Sequence, residues 1–360
     1  MITSMRGIFQ PFLLIVFLIV TGCSQEKRQE RMFSPKRVNS STAVQINEIT
    51  RAINQGNEQP EWFVKRAKLY LSIEKEAQAL ADLNTAIKED PSLGEAYFLK
   101  AKVLVARQQY QESMKLMMQA KEFNYYTPES EAVLAETYVG LKQYDRALSH
   151  SSKAVQLSPG EAKFYVLLAN AQSGTGDTVR AIANLGKALQ RDSVSLPAYR
   201  ELSAIYTAQK RFEEAYPMVN TGVKQQPKDA FWWRQLGQYF MAYNLTDTAM
   251  ASFNRSVAFD PNHPAAYLGL AQAWYKKRQY AIALENIVKA QELGAPLNEE
   301  NRFLLARCYE YTGLRELARS HYAFLARKYP QNPRYMVALR KLQTPIKRPT
   351  IDTLSTTSVF

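Results

Sequence analysis

Two cysteines and three histidines are all that 360 residues offer of the side chains most often used to hold metals or carry nucleophilic chemistry. Cys23 and Cys308 cannot make a disulfide scaffold. His150, His263 and His321 stand far apart, with no HExxH and no Cys/His ligand spacing, so no metal site and no cofactor is expected. Gly (14) and Pro (16) are too sparse for a collagen-like or low-complexity chain. Acidic residues are also short: 33 Asp+Glu face 46 Lys+Arg, a formal net charge of +13. That excess suits nucleic acid, an anionic membrane or an acidic partner and chooses none of them. What remains, 46% hydrophobic and 22% charged, is the composition of a folded chain. Length alone suggests two domains at roughly 150 residues each. A repeat array evades that count, because it grows without enlarging any one core.

One long apolar run exists. Ile8–Val20 (IFQPFLLIVFLIV) follows a short start carrying Arg6. A membrane-spanning helix needs about 20 apolar residues, so the run is short for a span and suits a signal peptide. Val20-Thr21-Gly22-Cys23 comes next and resembles the bacterial lipoprotein box, in which a Cys after small residues is lipidated and becomes the new N-terminus. Val20 and Thr21 depart mildly from the commonest residues there. The resemblance implies lipidation at Cys23 and anchoring to a membrane through the N-terminal lipid. With Ser24 rather than Asp next, it further implies the bacterial cell envelope, at the outer membrane facing the periplasm. That location weighs against nucleic acid as a partner. Residues 24–41 are polar, without apolar periodicity, and read as a flexible tether.

Most of the remaining chain repeats itself every 34 residues, in windows 60–93, 94–127, 128–161, 162–195, 196–229, 230–263 and 264–297, and then 299–332 after one extra residue. Column 8 reads Ala67, Ala101, Ala135, Ala169, Ser203, Gly237, Ala271, Ala306; column 20 reads Ala79, Ser113, Ala147, Ala181, Ala215, Ala249, Ala283, Ala318. Column 27 is small as well (Ala86, Ala120, Ala154, Ala188, Gly222, Ser256, Ala290), with Leu325 the one large residue. Helices approach closely only where facing side chains are small. Columns 8 and 20 therefore belong where helix A crosses helix B within a repeat, and column 27 where helix B meets the next helix A. Aromatic and large apolar residues fill columns 4, 11 and 24, and Pro at column 32 (Pro91, Pro159, Pro227, Pro261, Pro330) stops helix B. The numerous aromatics follow these columns and are read as core.

These columns resemble the tetratricopeptide repeat over about three quarters of the chain. The resemblance implies an all-α fold: a right-handed α-solenoid of eight helix-turn-helix repeats with a C-terminal capping helix. The organisation expected is a lipoprotein signal peptide at 1–22, a tether at 23–41, an N-terminal capping helix at 42–59, eight repeats at 60–332, a capping helix at 333–343 and a disordered tail at 344–360.

No catalytic constellation is found, and a non-enzymatic scaffold is expected. Gly174-Thr175-Gly176-Asp177 has no strand before it and reads as a turn, not a phosphate loop. Cys308 lies among apolar residues and reads as a structural thiol.

In the repeat family, helix A columns 2, 5, 9, 12 and 13 line the concave face. That implies a partner-binding groove with Lys163, Asn170, Arg200, Phe231, Arg234, Gln238, Gln272, Tyr275, Lys276 and Arg307. Arg, Asn and Gln there suit the backbone of an extended protein or peptide partner. One subfamily grips chaperone C-termini with a two-carboxylate clamp, and no three successive repeats here match that clamp. A second candidate surface is the basic C-terminal end, with Arg315, Arg319, Arg327, Lys328, Arg334, Arg340 and Lys341, which suits an anionic envelope polymer, glycan or lipid.

Overall fold

The computed structural model describes residues 41–56 and 59–343. The signal peptide with Cys23, the tether and the tail expected from the sequence lie outside the described residues. Every regular element among the described residues is an α-helix. A first helix, α1 (Thr42–Asn54), precedes eight antiparallel pairs. The A and B helices of these pairs are α2 (Pro60–Ser72) and α3 (Glu76–Glu89), α4 (Gly94–Ala106) and α5 (Tyr110–Glu122), α6 (Pro128–Gly140) and α7 (Tyr144–Leu157), and α8 (Ala162–Gly174) and α9 (Thr178–Arg191). They continue with α10 (Leu196–Ala208) and α11 (Phe212–Gln225), α12 (Ala230–Ala242) and α13 (Thr246–Phe259), α14 (Pro264–Lys276) and α15 (Tyr280–Glu292), and α16 (Glu299–Tyr311) and α17 (Arg315–Lys328). A last helix, α18 (Pro333–Gln343), packs on α17.

Local chemistry sets the boundaries. Pro60, Pro128 and Pro264 open A helices at the first position, where the missing N–H costs nothing. Asp177, Asp229 and Asn298 cap α9, α12 and α16 through their side chains. Every A-to-B turn places column 15 in the left-handed region: Glu74, Gln108, Lys142, Gly176, Lys210, Asn244, Arg278 and Gly313 have φ between 57° and 87°. Only two of the eight are glycine. Gly174-Thr175-Gly176-Asp177 is therefore the ordinary turn of its repeat, with Gly176 in the left-handed position and Asp177 as the cap.

B helices stop in two ways. Where column 32 is Pro, the helix runs to column 30 and the next residue turns extended, as at Asp90 and Asp260. Where it is Tyr125 or Ala295, the helix ends earlier and a left-handed Asn124 or Gly294 closes it.

The small-residue columns are the fully buried contacts of the stack: Ala67, Ala79, Ala101, Ala120, Ala181 and Ala188 are 0% exposed. An added Cβ on Gly237, in column 8, would lie 2.5 Å from the Phe253 ring of its own B helix, and one on Gly222, in column 27, would lie 2.2 Å from Trp232 of the next A helix. Column 20 reaches further than the sequence suggests: the Ser113 hydroxyl lies 3.1 Å from that of Thr137 on the next A helix. Leu325, the large exception, is also fully buried, clustered with Tyr335 of α18, a helix that follows at the A position.

The contacts also decide which side curves inward. Consecutive A helices touch along the array, whereas consecutive B helices do not. A row of helices in contact on one side and splayed on the other is concave where they touch. The A helices therefore line the inner groove.

Candidate functional site: the concave groove

The groove is built from columns 2, 5, 6 and 9 of successive A helices. Its N-terminal half holds a cleft of about 490 Å³ whose lining includes Phe98, Lys102, Glu129, Glu136, Lys163, Leu167 and Asn170. Removal from solvent inside this cleft holds the Glu136 carboxyl above its usual range, with Lys102 opposing. Lys163 is tied to Glu129 at 3.4 Å and Glu161 at 3.7 Å. Asn170 Oδ1 is buried without a hydrogen-bond partner. Lys163 and Asn170 are expected here from the sequence; Phe98, Lys102, Glu129 and Glu136 are not, and they join them in the lining. These occupy the same columns in earlier repeats, so the signal was available.

The middle of the groove is an arginine–aromatic stack. Asp229 caps α12 by accepting the Phe231 backbone N–H at 2.9 Å and also pairs with Arg200. The Arg200 guanidinium lies 4.3 Å from the Phe231 ring centre, and that of Arg234 lies 5.1 Å from the same ring. Arg200, expected from the sequence to await a ligand, already has a carboxylate. Phe231 serves here as the plate between two guanidiniums. Arg234 differs. It donates to Gln235 at 3.2 Å and Gln238 at 3.4 Å, its Nε is buried without a partner, and it makes no ion pair among the described residues. Burial, with Arg200 adding repulsion, pulls its guanidinium down to about 10.

Further along, Lys276 donates to Asn244 of the preceding repeat, and Tyr275, Tyr280 and Tyr311 cluster, the last two stacked at 4.2 Å. Tyr311 is 42% exposed and Tyr243 is 43% exposed, so part of the aromatic content forms the rim of the stack rather than its core. Arg307 donates to the Tyr311 hydroxyl at 2.7 Å, while its Nε is buried and unpartnered. Gln272 lies on α14 at the same register as Gln238 on α12.

The C-terminal basic residues fall on α17 (Arg315, Arg319, Arg327, Lys328) and α18 (Arg334, Arg340, Lys341), and they do not all serve one surface. Arg334 and Lys341 join Arg307 in a cleft of about 490 Å³ between α16 and α18, with Glu310 and Phe303 also in its wall. Lys341 reaches Glu310 at 3.3 Å, Arg319 reaches Glu316 at 3.5 Å, and Arg315 donates to the Leu342 carbonyl at 3.0 Å. Lys328 and Arg302 both sit over Phe324.

Two histidines have a structural account that the sequence did not show. Column 4 is aromatic except in the third and eighth repeats, where it is Glu131 and Arg302. In those repeats a B-helix histidine meets the substitute: His150 Nδ1 lies 2.7 Å from Glu131, and His321 Nδ1 lies 3.4 Å from Arg302. Burial pushes the Cys308 thiol up to about 12, which makes it a poor nucleophile. Among the described residues no three His, Cys, Asp or Glu side chains gather as metal ligands, and no helix is long and apolar enough to cross a membrane.

Models of the tetratricopeptide repeat match residues 64–124 and 174–238. Among curated proteins, human protein O-mannosyl-transferase TMTC1 is 25% identical over 44% of this chain and 19% of its own length. Cellulose synthase operon protein C of Pseudomonas fluorescens (strain SBW25) is 26% identical over 70% of this chain and 20% of its own length. The chain thus spans about a fifth of each of these relatives. Among solved structures, the APC/C hetero-tetramer Cut9-Hcn1 superposes with a TM-score of 0.64 at 14% identity, over 84% of this chain and 59% of that one. The chain is a tetratricopeptide-repeat protein, an α-solenoid of the kind that serves as a protein-interaction scaffold.

Proposed function

We propose that this protein is a non-enzymatic scaffold that binds a partner polypeptide in its concave groove, and that it is held at a bacterial envelope membrane by a lipid on Cys23. The observation that carries the groove reading is the set of buried polar atoms left without partners on its lining: Asn170 Oδ1, Arg234 Nε and Arg307 Nε. Buried polar groups are nearly always satisfied, and each orphan costs about 1–3 kcal/mol. Three of the seven such atoms among the described residues lie on this one face, which suits a surface that another molecule completes. An extended chain supplies backbone donors and acceptors along such a row. No transferase activity is carried over from the mannosyl-transferase relative, because the likeness covers a fifth of that protein.

The anchor rests on the Val20-Thr21-Gly22-Cys23 resemblance alone. Two experiments test the reading. Photoreactive residues at Gln238 and Gln272 should crosslink a discrete protein in cells, and the same probes on exposed positions of the B helices should not. Cys23→Ala should move the protein from the membrane to the soluble fraction. A groove without protein adducts sinks the scaffold reading, and a Cys23→Ala protein that still pellets with membranes sinks the anchor.

A further inference from the structure

The groove is not evenly charged. In its first half cations and carboxylates alternate and pair, as Lys68 does with Glu95 at 2.6 Å and Lys163 with Glu129. In the second half the balance is lost. Helices α12 and α14 contain no Asp or Glu. On α16, Glu310 accepts from the Tyr322 hydroxyl at 2.7 Å and meets Lys341, Glu299 is taken by Tyr335, and Glu300, exposed at the start of the helix, is the one carboxylate left over. This leaves Arg234, Arg307 and Arg334 at groove columns of successive A-position helices, and Lys276 at the far end of α14, none of them in an ion pair among the described residues, with Glu310 near Arg307 the closest counter-charge. Arg234 is the extreme case, being flanked by a second guanidinium at Arg200 and having its Nε shut off from water. Taking a cation out of water without a counter-ion is costly, and a protein retains it where a ligand supplies the anion.

We infer that the half of the groove formed by α12, α14, α16 and α18 receives an acidic polypeptide segment lying extended across the A helices, with one of its carboxylates on Arg234. The inference rests on the groove reading given above and adds the chemistry of the occupant. Neighbouring helices pack about 8–10 Å apart, and an extended chain advances about 3.3 Å per residue. An acidic side chain at about every third residue therefore comes level with each successive helix of the groove, where Arg234, Arg307 and Arg334 stand. The Gln238 and Gln272 amides, one turn along from the cations, are placed for the backbone between them. Because the cations are distributed over several repeats, recognition is of an internal acidic stretch and not of a chain terminus.

The test uses the full-length protein in detergent and a fluorescent twelve-residue peptide with Glu at every third position, Ser and Ala elsewhere, and an amidated C-terminus. A matched peptide with Gln in place of Glu is the control. The Glu peptide is expected to bind about ten-fold or more tightly than the Gln peptide. Arg234→Gln should lose that difference, whereas Arg255→Gln, on α13, should keep it. Arg234→Gln should also unfold at the same temperature as the parent or higher, since it removes an uncompensated charge; a merely structural arginine would lower it. Equal binding of the two peptides overturns the acidic assignment and leaves the groove as a docking surface. Binding that requires a free C-terminal carboxylate overturns the internal-segment assignment. Anionic vesicles or a polyanionic glycan that bind with the same Arg234 dependence, and more tightly than the Glu peptide, overturn the polypeptide assignment. Failure of both peptides together with loss of groove crosslinks in cells removes this inference and the groove reading together.

Discussion

The Tyr97 hydroxyl donates to the Pro91 carbonyl, six residues earlier, at 3.0 Å. The same link recurs at Tyr165 with Pro159 at 3.2 Å and at Tyr199 with Ser193 at 2.8 Å, and the Trp233 indole N–H makes it with Pro227 at 2.7 Å. Column 4 is thus aromatic for two reasons. The ring fills the joint between repeats, and its polar tip ties down the carbonyl freed where helix B ends. Tyr97→Phe keeps the ring and removes the tie. It should cost about 0.5–1.5 kcal/mol, read as a lower denaturant midpoint at unchanged slope.

Gly222 sits where helix B of the fifth repeat meets Trp232, whose ring is fully buried. Alanine is the better helix former, so an open site would gain from Gly222→Ala by up to about 1 kcal/mol. Here the new methyl meets the indole at 2.2 Å. The substitution should instead destabilise by about 1–3 kcal/mol, and a raised melting temperature would contradict the packing described.

Arg66 and Asp82 form a two-point pair inside the first repeat, Nε to Oδ2 and Nη2 to Oδ1, both at 2.7 Å. Arg66 also donates to Thr50 of α1 at 3.0 Å, so the pair anchors the first helix to the array. Asp82→Ala leaves the cation buried and should cost about 3–5 kcal/mol. Replacing both partners with apolar residues of similar volume should recover most of that loss, as chemical denaturation of the three variants can show.

Pro217 lies inside α11 on its exposed side, where it cannot donate the backbone bond that a helix interior requires. Pro217→Ala should stabilise by about 1–3 kcal/mol. Native-state hydrogen exchange should show the gain centred on the first turns of α11.

Acid should weaken the fold through two histidines. Burial, with Arg234 adding, lowers His263, while Asp260 and Asp229 pull the other way; burial and Arg302 lower His321. A histidine held below its unfolded value of about 6.5 binds protons more readily once the chain unfolds. Stability is therefore unaffected well above that value, falls as pH drops through it, and levels off below the folded value. The melting temperature should decline between about pH 7 and pH 5, and His263→Gln with His321→Gln should flatten the decline.

The periodicity of the sequence determined the repeat. Small residues recurring at columns 8, 20 and 27 admit one close-packed arrangement of helix pairs, and each A helix begins at the first residue of its 34-residue window. Column assignment likewise places Arg200, Arg234, Gln238 and Gln272 on the A helices. Sequence could not tell which of these side chains are already satisfied. Arg200 and Arg234 occupy the same column in adjacent repeats and look alike, yet one finds Asp229 and the other pairs with no carboxylate among the described residues. Nor could it split the basic end, where Arg334 and Lys341 turn into the groove cleft while Lys328 lies over Phe324. The physical reason is one of range. A hydrophobic repeat is written in spacings within one helix and its neighbour, which the chain states directly. The state of a charge is decided by what other repeats bring within a few ångströms of it, and only the tertiary structure brings them there.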